Sequence, residues 1–189
     1  FVTRLADQMG NIIQPLKGFA RKSLAQPAAT DVAHAVSNAL FLYDQRLRKE
    51  GITVHNRCEP GQIIAWCDPN RLEQVLINLI GNAMDAMRDT AVKVLTLEAV
   101  SDPACTPPLR IEVSDSGPGV PEDVRQRLFE PFFTTKEAGV GLGLGLAISR
   151  DIVREFHGDL EADNLPGGGA CFTVRLPAAP DPEEEPTTT

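Results

Sequence analysis

Four segments of this chain carry groups suited to chemistry on a flat, multiply charged ligand. The first is Asn78-Leu79-Ile80-Gly81-Asn82-Ala83-Met84-Asp85-Ala86. At about 100° per residue, Asn78, Asn82 and Asp85 share one stripe of a helix, beside an apolar stripe of Leu72, Val75, Leu76, Leu79, Ala83 and Ala86. Asn82 lies nearest the apolar border and therefore faces a cleft rather than open water. Its carbonyl can complete an octahedral Mg²⁺ shell made otherwise of phosphate oxygens and waters. The second segment is Asp115-Ser116-Gly117-Pro118-Gly119. Leu109, Ile111 and Val113 alternate with polar residues, and Asp115 continues the apolar phase. A carboxylate pointing inward at a strand end needs a donor, and the amino group of adenine suits that role. Gly117 and Gly119 allow the backbone to turn and approach a flat base.

The third segment runs from Phe129 through Pro131, Phe132, Phe133, Thr134 and Thr135 to Lys136, a point charge able to swing toward phosphates, with Phe132 and Thr135 placed in the ligand-binding set. The fourth, Gly139 to Leu146, leads into a helix, and its amides across Gly141, Leu142, Gly143, Leu144 and Gly145 can face an anion. No Gly-Lys-Ser/Thr follows, so this is not a Walker loop, and it does not match G-x-G-x-x-G. Taken singly, the segments have ordinary readings: a polar helix face, a common strand-end turn, a solvated lysine and a hinge. Their order and spacing carry the functional reading.

The elements that would position these groups follow from periodicity. Residues 1 to about 24 read as a helix with Leu5, Met9, Ile12, Ile13, Leu16 and Phe19 on one side, kinked at Pro15. Gln26 to Thr30 reads as a linker, and Thr30 or Asp31 caps a second helix that Gly51 stops. Strands are expected near Thr53–Asn56 and Gln62–Trp66, then a helix from Pro69 to about Asp89, then strands at Val92–Val100 and Leu109–Ser114. A short helix near Glu122–Leu128, a helix from about Gly143 to Phe156 and a hairpin of Asp159–Asn164 with Cys171–Leu176 complete the pattern. Residues 177–189 read as a disordered tail. The fold class is an α/β two-layer sandwich: a mixed sheet with helices on one face, preceded by a helix.

At 189 residues and 42% hydrophobic, the chain can bury one good core. The net charge of −8 and the lack of a basic patch argue against nucleic acid as a partner. Cys58, Cys67, Cys105 and Cys171 form no C-x-x-C pair and read as free thiols in a reducing compartment. No apolar run reaches the ~20 residues of a membrane span, no secretory signal opens the sequence, and a start at Phe1 reads as a piece of something longer.

The four segments resemble the N box, first glycine box, phenylalanine box and second glycine box of sensor histidine kinases, within the Bergerat-fold ATPases. Arg71-Leu72-Glu73-Gln74-Val75-Leu76, Phe133-Thr134-Thr135-Lys136 and Gly141 to Leu146 resemble the dicarboxylate-transport sensors in particular. The resemblance implies an ATP-binding catalytic domain over residues 31–176, with residues 1–26 the second helix of a dimerisation hairpin. It further implies binding of ATP or ADP with Mg²⁺ and transfer of the γ-phosphoryl group to a histidine on a separate hairpin. Relay to a response regulator would follow, in a homodimeric, membrane-anchored parent whose catalytic part is cytoplasmic.

In that setting Asn82 is the metal ligand, Asn78 and Lys136 assist catalysis, and Asp85 joins the nucleotide-binding set. ATP-hydrolysing relatives of the gyrase type carry Glu one turn before the metal-binding Asn. Here that place is Asn78, which cannot take a proton from water. The acceptor motif, His followed by Glu or Asp and then Pro, is missing, and His34, His55 and His157 read as structural. An alternative is a nucleotide-binding regulator of the anti-sigma serine-kinase type, which would sooner carry Glu at position 78.

Overall fold

Asp68 begins an 18-residue helix with seven buried residues. Its carboxylate accepts from the Asn70 and Arg71 amides at 2.9 and 3.1 Å, and Pro69 occupies the first turn, where no amide is needed. A computed structural model describes residues 26–135 and 142–180. The helix expected over residues 1–24, Lys136, Gly139 and Gly141, and residues 181–189 of the tail lie outside the described residues.

The elements are β1 (Ala28–Asp31), α1 (Val32–Lys49), β2 (Thr53–Asn56), β3 (Ile64–Cys67), α2 (Pro69–Ala86), β4 (Val94–Ser101), β5 (Leu109–Asp115), α3 (Glu122–Arg125), α4 (Gly145–Glu155), β6 (Asp159–Asn164) and β7 (Ala170–Leu176). Five strands form a mixed sheet in the order β2-β4-β5-β7-β6, with β2 parallel to β4 and every other pair antiparallel. α2 lies between α1 and α4 and packs on β5. Leu72, Val75, Leu76, Leu79, Ile80 and Met84 of α2 meet Leu95 and Leu97 of β4, Ile111 and Val113 of β5 and Val174 of β7 in one core. The opposite face of the sheet is polar, with ion pairs Arg110–Glu112 and Arg175–Glu161. This is the expected two-layer arrangement, with helices on one face.

The structure revises several expectations and decides between two others. Most of the linker expected over Gln26 to Thr30 is a strand: β1 pairs antiparallel with β3, and the Thr30 hydroxyl donates to the Cys67 carbonyl at 2.8 Å. Of the two caps expected for α1, Thr30 or Asp31, it is Asp31 that accepts from the Ala33 amide. The segment read as disordered from residue 177 is paired as far as Ala179, because Trp66 donates to the Pro177 carbonyl and Ala179 donates to the Ile64 carbonyl, each at 2.9 Å. α2 also stops earlier than expected, and Ala86, placed on the apolar stripe, is exposed.

Leu79 is fully buried at the centre of this core. Leu79→Ala leaves a cavity that the flanking helices cannot close, so urea unfolding is expected to show a loss of about 2–5 kcal/mol.

Candidate functional site

β5 alternates as expected, with Leu109, Ile111 and Val113 buried and Arg110, Glu112 and Ser114 half-buried. Asp115 keeps the inward phase and is only 3% exposed. Its donors are the Gly117 amide at 2.8 Å and the Ala170 amide at 3.4 Å, and both reach Oδ1. Among the described residues, no hydrogen bond falls on Oδ2, which remains an acceptor for a ligand. Burial pushes the Asp115 carboxyl above its ordinary range, against the pull of those two amides. Gly117 is required by close approach, since a Cβ there would lie 2.7 Å from Asp115 Oδ1 and 3.2 Å from the Ala86 carbonyl oxygen.

Two further side chains hold this loop, and sequence reasoning missed both. Ser116 Oγ donates to the Val92 carbonyl and accepts from the Val94 amide, each at 2.8 Å, which ties the loop to the start of β4. Asn164, at the end of β6, accepts from the Val120 amide at 2.7 Å and donates to the Val120 carbonyl at 2.8 Å. It thereby fixes the turn at Gly119, whose φ is +79°. Only a polar residue ending the hairpin strand hinted at Asn164 in the sequence.

The three residues of the predicted polar stripe have different surroundings. The Asn78 amide nitrogen donates to Ser149 Oγ of α4 at 3.0 Å, and its Oδ1 lies so close to Gly145 that even a methyl group there would collide. Asp85 pairs with Arg46 of α1 at 2.7 Å and lies 3.6 Å from Arg88. Asn82, half-buried, stands between them on α2. Among the described residues, no three His, Cys, Asp or Glu side chains cluster as a metal site. One amide carbonyl suits Mg²⁺, which draws its other ligands from phosphate and water.

α4 begins at Gly145, and Leu144 before it makes no side-chain capping bond. Among the described residues no side chain caps its first amides, and amides at such a helix start, with the dipole behind them, suit an anion. The Phe132 amide donates to the Gly143 carbonyl at 3.0 Å, and both residues have left-handed backbone, at +67° and +65°. Phe132 and Leu142 are exposed, as is Thr135. The other two phenylalanines pack: Arg150 stacks over Phe129 at 4.7 Å and Arg127 over Phe133 at 4.4 Å.

The raised Asp115 carboxyl means that the folded chain keeps this proton to higher pH than the unfolded chain does. Stability from this group is therefore full below the ordinary carboxylate pKa of about 4 and declines as pH rises toward the raised value. Asp115→Asn should flatten that decline in urea unfolding and leave the variant at least as stable as wild type at pH 7.

Residues 67–180 match the family described as histidine kinase-, DNA gyrase B- and HSP90-like ATPase. The C4-dicarboxylate transport sensor protein DctB of Rhizobium meliloti is 38% identical over 181 residues, covering 94% of this chain and 28% of that protein. The nucleotide-free catalytic domain of histidine kinase ThkA matches with TM-score 0.67 at 29% identity, over 82% of this chain and 99% of that one. Full-length ShkA in complex with AMPPNP matches with TM-score 0.70 at 26% identity, over 95% of this chain and 37% of that one. The chain spans 19% to 38% of the length of such curated relatives. It belongs to the histidine kinase-, DNA gyrase B- and HSP90-like ATPase family, and its relatives there are the catalytic domains of sensor histidine kinases.

Proposed function

We propose that the chain holds Mg-ATP and passes its γ-phosphoryl group to a histidine other than His34, His55 or His157, as the catalytic domain of a two-component sensor kinase. One observation carries the reading. α2 touches the start of α4 through Asn78 and the Asp115 loop through the Ala86 carbonyl. Those contacts are separated by about 12 Å of helix, a distance that one nucleoside triphosphate can bridge from base to phosphates. Asn82 stands halfway along.

Asp115 Oδ2 accepts from the adenine amino group. The first amides of α4, with Lys136, face the phosphates, and Asn82 holds the metal through its carbonyl. Mg²⁺, when bound, neutralises charge on the transferring group. The protein then has to position rather than activate, since Asn78 cannot act as a base toward water and its amide is engaged by Ser149. The acceptor hairpin, a second copy of the parent protein and a response regulator are the expected partners. Among the described residues, no helix is long and apolar enough to cross a membrane. A site fed by ATP belongs on the cytoplasmic side, with any anchor elsewhere in the parent.

Incubation of the chain with γ-labelled ATP and Mg²⁺ tests the reading. Expected are nucleotide binding, slow hydrolysis and no label on the chain, with label appearing on an acceptor hairpin supplied separately. Rapid labelling of His34, or hydrolysis that outpaces transfer, would overturn it.

A further inference from the structure

Ser149 is a buried hydroxyl that neither the family resemblance nor the chemistry above uses. It is 2% exposed, on a face of α4 whose other buried residues are Ala147, Ile152 and Val153. A serine within a helix commonly bonds back to the carbonyl four residues earlier, as Ser37 does to Ala33 at 2.8 Å. Ser149 instead accepts from Asn78, which lies 71 positions away on α2. With its nitrogen held there, the Asn78 amide can turn only its carbonyl toward Gly145, where it leaves no room for a side chain. The hydrogen bond therefore fixes both the rotation of the amide and the separation of the α4 start from α2.

We propose that Ser149 is a positioning residue of the nucleotide site, acting through Asn78 to set the α4 start against the metal-facing Asn82 one turn along α2. The inference rests on the Mg-nucleotide reading of the site. A bond that sets the α4 start against Asn82 should affect the part of the affinity that depends on the metal between them, and leave recognition of the base at Asp115 alone.

Calorimetric titration of the chain with ADP, in Mg²⁺ and in EDTA, tests it. Ser149→Ala is expected to weaken Mg-ADP binding about fivefold or more, the scale of one lost hydrogen bond, while binding in EDTA changes less than about twofold. In an Asn78→Ala background the same substitution should have no further effect, because the partner is gone. Equal weakening in both backgrounds, equal weakening with and without Mg²⁺, or no weakening at all would overturn the proposal. Should Ser149→Ala fail to fold, Ser149→Thr and Ser149→Val decide: similar in size, only the first keeps the hydroxyl, and equal affinities would overturn it. Failure of the wild-type chain to bind ADP would instead defeat the nucleotide reading.

Discussion

A carboxylate at the end of a strand lined by Leu109, Ile111 and Val113 is out of place by the ordinary preference of charge for water, and much of the site follows from accommodating it. Two amides are brought to one oxygen of Asp115, and the other accepts no hydrogen bond among the described residues. That requires a residue without a side chain at 117, because α2 and the carboxylate together fill the space. It also requires the loop to be pinned at both ends, which Ser116 does against β4 and Asn164 does against the chain at Val120. A partly satisfied buried acid costs stability, so the arrangement makes sense as a binding device rather than as a stabilising one.

α2 links this acid to the phosphate end. The helix is fixed along its apolar face by the core. Its polar face meets α4 at Asn78 and α1 at Asp85, which pairs with Arg46. Asn82, half-buried between the two, is the residue of that stripe to which the proposed function gives the metal. Rigid placement suits phosphoryl transfer, where geometry and charge neutralisation supply most of the rate. An Asn in place of Glu at position 78 removes the base that would turn the same geometry toward hydrolysis.

The sequence made the types of chemistry legible, and their partners much less so. Strict alternation placed Asp115 inward, and helical spacing put Asn82 on a cleft-facing stripe, because both periods are properties of a local segment. Nothing local announces that Asn78 meets Ser149 or that Asp85 meets Arg46, contacts that depend on how three helices cross. The strand at Ala28–Asp31 was hidden because it is short and carries small residues after a proline, and it exists only through pairing with β3. The onset of the tail was misread for a related reason. A proline such as Pro177 has no amide to donate, yet its carbonyl accepts from Trp66.

Base discrimination tests the role of Asp115 most directly. Calorimetric titration with ADP and with IDP, which lacks the exocyclic amino group but keeps the sugar and phosphates, isolates the one contact that the buried oxygen would make. Tenfold or more tighter binding of ADP, with the difference lost in Asp115→Asn, is the result predicted here. Equal affinity for the two nucleotides would contradict it.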